Sequence, residues 1–315
     1  GSPPPRRRSR GPVRWLALTL DPRWIKLAPR QGEDRLSDAD SAPGRPAPPA
    51  IPVPVWRVIA AGLRSVFLYP ANFIQRAWPL LLVASLVLAL RGARFGDLEQ
   101  AVDDSLGAGL GMAAVALAAL AVAVRWHRGL LMGEPPPGIA TLRPEMAWLR
   151  FAAAFVLVIA GTMLVGSLIV AALIGAAEVL ALPYRSFAVV WGLAAPVFLA
   201  MAMITGRLMT AYPMIALGGR TLESLRRSWR LTRGNSWRLM LMLAIYTAME
   251  WLLFPAVHWA FQEIENVLGV AGFALGIVAD ALMVALFTAL IASILSYIYA
   301  VLTGHPAAAE LDRKA

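Results

Sequence analysis

A chain of 315 residues that is 59% hydrophobic and only 15% charged, with mean hydropathy +0.64, departs from soluble domains, which average about 45–50% apolar and about 25% charged. It contains no cysteine, which excludes disulfides, thiolate metal sites and a cysteine nucleophile. In so apolar a chain, the formal net charge of +10 fits the anionic inner face of a membrane rather than nucleic acid.

The first 52 residues hold eleven of the 23 prolines and the run Arg6, Arg7, Arg8. Such a segment buries too little apolar surface to offset its ordering entropy, so it reads as a disordered leader. The apolar patch from Trp15 to Leu20 is too brief to span a bilayer, and no small-residue cleavage site succeeds it, which argues against a signal peptide. The first methionine is Met112. The leader therefore reads as the flank of a fragment, or as a frame opened upstream of a true start near Val53 or Val55. Gly1 and Ser2 equally fit a cloning remnant. Residues 53–315 read as a six-span membrane domain.

A bilayer core of about 30 Å needs roughly 20 apolar residues as helix. The expected spans are Ala77–Leu90, Leu106–Val124, Phe151–Ala177, Ser186–Gly206, Leu239–Phe261, and a sixth that begins between Val267 and Ala281 and ends near Thr303. The first is short, so Arg76 and Arg91 are expected to snorkel to the headgroups. Thirteen Lys/Arg precede it. Arg125, Arg128, Arg143 and Arg150 come after the second span. Arg207, Arg220, Arg226, Arg227, Arg230, Arg233 and Arg238 lie around the loop after the fourth. The opposite loops carry only Arg91, Arg94 and Arg185. The excess of Lys/Arg marks cytoplasmic loops, so both termini are expected on the cytoplasmic side of the membrane.

A weak threefold repeat places a basic, aromatic segment before each odd span: WRVIAAGLRSVF, LRPEMAWLRF and TLESLRRSWRLTRGNSWRL. In the third, Leu222, Leu225 and Trp229 share a helical face, and Arg226, Arg230 and Arg233 share another. That pattern predicts a helix in the interface plane, its arginines among anionic headgroups. Gly234 suits the C′ position, and Asn235 or Ser236 can cap the next helix.

This stretch resembles a signature of bacterial six-helix membrane proteins of the YciC-like kind. It is similar to the membrane domain attached to some glycerophosphodiester phosphodiesterases. In those, an arginine ending the fourth span is followed by a proline and then a Ser-Trp-x-Leu-Thr-x-Gly element. The matching residues are Arg207, Pro213, Ser228, Trp229, Leu231, Thr232 and Gly234. The opening VWRVIAAGLRSVFLYP also resembles the start of such proteins. The resemblance implies an all-α bundle of six transmembrane helices with cytoplasmic amphipathic helices. It implies no established reaction, and no soluble phosphodiesterase domain is present to carry that activity over.

Polar residues inside apolar spans are costly and mark either function or a buried structural bond. Glu250, in span five, fits proton relay or substrate binding, and fits a hydrogen-bonded structural carboxyl. His258, Gln262 and Glu265 lie further along on a similar face. Asp280 falls mid-membrane if span six starts at Val267 and at the outer interface, the preferred placement, if it starts at Ala281. His127 reads as an inner-interface residue beside Trp126 and Arg128. No histidine has metal-ligand spacing, and no nucleophile elbow or P-loop occurs. Gly107 and Gly111 have the spacing of close helix approach. The expectation is a non-enzymatic envelope scaffold, assembly or homeostasis factor without catalytic residues, metal or cofactor. The alternative is a small permease or lipid or solute transporter using Glu250. Its partners are the bilayer and anionic headgroups; protein partners are not legible.

Overall fold

Long apolar runs without interrupting charge leave the backbone one way to satisfy its own hydrogen bonds in lipid, and that is helix. The computed structural model describes residues 52–91, 106–136, 145–179 and 187–308, and its regular elements are all helical. They are α1 (Val55–Phe67), α2 (Pro70–Arg91), α3 (Leu106–Met132), α4 (Met146–Val179), α5 (Phe187–Leu208), α6 (Ala211–Ala216), α7 (Thr221–Leu231), α8 (Ser236–Leu268) and α9 (Val270–Thr303). Six of them, α2, α3, α4, α5, α8 and α9, are long and apolar enough to cross a membrane. The chain is a multi-pass integral membrane protein. The leader before residue 52 and the loops with Arg94, Arg143 and Arg185 lie outside the described residues.

The bundle is built around α9, which packs against α1, α2, α3, α6 and α8. Within its most apolar stretch 67% of residues are buried, against 6% for α8 and 17% for α4. Small residues let neighbours approach it: Ala281, Ala285, Ala289, Ala292 and Ala300 are all buried. Gly62 of α1 lies so close that a Cβ there would come within 2.9 Å of Ile294 Cγ1. On α3, Gly111 sits equally tight against Val87. Close helix approach at Gly111 therefore holds.

Several expectations change. The first span begins at Pro70, seven residues before the expected Ala77, so Arg76 lies inside α2. It does not snorkel. Its guanidinium turns into the protein and donates to Asn72 Oδ1 (3.0 Å), the Arg125 carbonyl (3.4 Å) and the Glu134 carbonyl (2.7 Å). Of the basic segment before the third span, Met146–Phe151 form the first turns of α4. The amphipathic α1 does not spend its apolar face on lipid. Val58, Ile59, Ala61, Gly62 and Val66 are buried, and α1 packs on α9. Span six begins at Val270, within the expected range and near its Val267 end, so Asp280 lies inside α9 and buried rather than at the preferred outer interface.

Candidate functional site

The last carbonyls of a helix have no partner within it. At the end of α5 this concerns Arg207, and the chain answers with side chains from α7. Ser228 Oγ donates to the Arg207 carbonyl at 2.6 Å, and Thr232 Oγ1 lies 3.2 Å from the same oxygen while donating to the Ser228 carbonyl at 2.8 Å. Thr210 Oγ1 is 2.6 Å from Ser228 Oγ. In return, Arg207 Nη2 donates to the Trp229 carbonyl at 2.7 Å, near the end of α7. The same guanidinium lies over the Trp229 ring, its Cζ 3.8 Å from the centroid, a cation–π contact. Two helix C-termini thus cap each other, each with the positive or hydroxyl group its carbonyls favour.

This clasp accounts for the motif residue by residue. Ser228 and Thr232 are fully buried, and Ser224 joins them on the inward face of α7. Pro213 falls in the first turn of the short α6, where its missing N–H removes no helical bond. Gly234 has φ of 86°, the left-handed turn that separates α7 from α8. Leu222, Leu225 and Trp229 do not act as one face. Leu225 packs on the core, whereas Leu222 and Trp229 stay exposed. Asn235 makes no side-chain cap for α8. Its Oδ1 instead accepts the Val53 amide at 3.1 Å and Arg238 at 3.2 Å, tying the start of α1 to the start of α8.

A second polar cluster locks the neighbouring helix ends. Arg125 bonds Glu134 (3.4 Å) and Glu145 (3.1 Å), and Arg128 bonds Glu145 (2.5 Å) and the Ala216 carbonyl (2.7 Å). Thr221 Oγ1 donates to the Arg150 carbonyl at 3.2 Å. The beginnings of α2, α4, α7 and α8 and the ends of α3, α5 and α6 therefore share one face of the bundle. On the outside of that face, α7 leaves Arg220, Arg226, Arg230 and Arg233 exposed. Arg220 and Arg226 border an open groove with Leu222 and Glu223.

Just inside this face, His127 is buried, not interfacial. Its Nδ1 lies 2.7 Å from Ser296 Oγ, whose single hydroxyl hydrogen is donated to the Ala292 carbonyl at 2.9 Å, so the histidine Nδ1–H donates and the serine oxygen accepts. Trp126 Nε1 donates to Ser293 Oγ at 2.6 Å, and Ser65 Oγ is 2.8 Å from the same atom. These bonds fix α1, α3 and α9 in register.

The intramembrane candidates separate. His258 Nδ1 is 3.7 Å from Asp280 Oδ2, joining α8 to α9, with Asp280 only 1% exposed. Glu250 is half-buried on the stripe of α8 that carries Tyr246 and faces the core. At about 1.5 Å rise per residue it lies two turns, about 12 Å, along the helix from His258. Gln262 is exposed and does not join the pair. Among the described residues no group of three or more His, Asp or Glu is gathered in a way that could hold a metal.

With this geometry in place, the comparisons with known proteins bear on the C-terminal part of the chain, less than half of it. Residues 184–315 match the family described as the membrane domain of glycerophosphoryl diester phosphodiesterase. The chain is similar to that membrane domain over α5 to α9, the stretch that holds the whole clasp. No curated protein and no solved structure matches. Sequence reasoning points to the clasp residues through the motif, Thr210 excepted. It places Arg76 at the headgroups and misses Glu134, Glu145 and the Trp126–Ser293 bond, because no short spacing joins residues that far apart.

Proposed function

We propose that this protein is a non-enzymatic component of a bacterial inner membrane, a YciC-like envelope scaffold or homeostasis factor. Both termini lie in the cytoplasm, and the arginine face engages anionic headgroups of the inner leaflet. One observation carries the reading: the clasp fixes α7 so that its small hydroxyl residues turn inward while Arg220, Arg226, Arg230 and Arg233 turn out. The two hydroxyls of the motif are consumed by carbonyls and buried, a use that supports a structural rather than a nucleophilic role. A fixed cationic surface at headgroup depth gains roughly 1 kcal/mol per basic residue from an anionic leaflet. The full chain in neutral detergent should retain phosphatidylglycerol over phosphatidylcholine. The double variant Arg226→Gln, Arg230→Gln should lose that preference by about thirtyfold, and added salt should shrink the difference. Equal retention of both lipids by the wild type would sink the reading.

A second reading, a small permease, is favoured by the buried Asp280 facing His258. Glu250 supplies its test. Under transport, Glu250→Gln abolishes function at normal membrane abundance. Under a structural role, Gln is tolerated and Leu lowers abundance.

A further inference from the structure

We propose that Arg207 and Arg233, at the lip of the clasp beside Trp229, bind the phosphate of an anionic phospholipid in the adjoining leaflet. Arg207 is already oriented. One terminal nitrogen is fixed to the Trp229 carbonyl, and the indole ring lies beneath its plane. Its Nε is buried, with no hydrogen-bond acceptor among the described residues. Arg233 is exposed and follows Thr232, whose Oγ1 lies 3.2 Å from the Arg207 carbonyl, so the two arginines flank the same contact and act on each other as like charges. Among the described residues neither arginine forms an ion pair with a carboxylate. This contrasts with Arg125 and Arg128 on the same face, which have Glu134 and Glu145.

Two guanidiniums held together without an acid form a site whose repulsion an anion relieves. Their forked donors match phosphate oxygens in pairs. The surroundings choose the source of that phosphate. Arg207 closes a membrane-crossing helix, Trp229 beside it is exposed, and Leu222 and Trp237 are exposed on the same face of the bundle. Amphipathic rings and a leucine at the end of a span belong at headgroup depth, where the phosphates are those of lipids.

The inference rests on the reading that this face meets the inner leaflet, and it adds a defined site to a diffuse surface. The test uses the full chain in neutral detergent, titrated with phosphatidylglycerol, with bound lipid counted by native mass spectrometry. Arg233 takes no part in holding the clasp, so its variants leave the fold intact. Arg233→Lys keeps the charge and loses the fork, and should weaken binding about fivefold. Arg233→Gln should weaken it about thirtyfold, against about fivefold for Arg226→Gln, which removes one charge from the same surface. If Arg233→Lys binds like the wild type and the two Gln variants lose equally, charge is read diffusely and the site does not exist. Inorganic phosphate at matched ionic strength should not displace the lipid; displacement would move the assignment from a lipid to a soluble phosphate and overturn it. Failure here with a wild-type preference for anionic lipid intact counts against the site alone, while loss of that preference counts against the surface reading.

Discussion

Replacing Gly129 by leucine should remove most of the folded protein from the membrane, while the same change at Gly109 leaves abundance near normal. Both glycines lie in α3, so the gain in helix propensity is the same for each, about 1 kcal/mol. Their surroundings differ. Around Gly109 nothing lies within 4 Å of an added Cβ. At Gly129 the Cβ would fall on the Arg76 guanidinium. That group cannot step aside cheaply, because it donates to Asn72 and to two backbone carbonyls, those of Arg125 and Glu134. Displacing it strands a partly buried charge and frees the Glu134 segment that also holds Arg125. Bonds from a charged donor are worth about 1.5–3 kcal/mol each, so a loss of about 3 kcal/mol or more is expected. Thermal unfolding of the purified proteins, followed by size-exclusion chromatography, measures it. Equal midpoints for the two variants would show that Arg76 does not anchor this face.

The helices were legible because bilayer thickness sets a length that apolar runs either meet or miss. All six expected spans exist, and their number follows from hydropathy alone. Their ends were not legible. Hydropathy stops at the first charge, whereas α2 runs past Arg76 because carbonyls of α3 and of the segment after it receive that charge. Asp280 deceives the same rule at the start of α9, since a carboxylate beside His258 does not end a helix. The motif points to Ser228, Thr232 and Arg207 only as a family signature without a role. Their work, capping two helix ends, comes from contacts between α5 and α7 that no local pattern shows. The arginines without a role in the clasp, Arg226 and Arg233, are the ones left for the surface. The amphipathic pattern of α1 and α7 predicts burial against lipid. A hydrophobic or hydroxyl face buries equally well against protein, and a periodicity cannot name the partner. His127 misleads for a related reason: between Arg125 and Arg128 it looks interfacial, but α9 brings Ser296 to it from 169 residues away.

Single cysteines at Leu222 and Val267 should label from opposite sides of the membrane, the first only after permeabilisation and the second in intact cells. The relative placement is geometric. Arg207 and Trp229 bind the end of α5 to α7, and Asn235 ties the start of α8 to Val53, so Leu222 belongs to the face where these helix ends meet. Val267 sits at the far end of α8. That helix has 33 residues, about 50 Å at about 1.5 Å per residue, longer than the hydrocarbon core of about 30 Å. The absolute side comes from charge. The clasp face carries Arg125, Arg128, Arg150, Arg207, Arg220 and the arginines of α7, while the last turns of α8 carry Glu263 and Glu265 and no basic residue. Moving that cationic face across the membrane is what the positive-inside rule forbids for short loops. Both positions are exposed, Leu222 at 62% and Val267 at 82%, so access to an impermeant maleimide is not limited by burial. The chain has no cysteine of its own, which removes background. Labelling of both residues from outside would mean that α8 does not cross. The arginine face would then meet the outer leaflet, and the headgroup reading would fall with it. Labelling of Val267 only after permeabilisation, with Leu222 open to the outside, would invert the protein and reject the charge argument while leaving the clasp untouched.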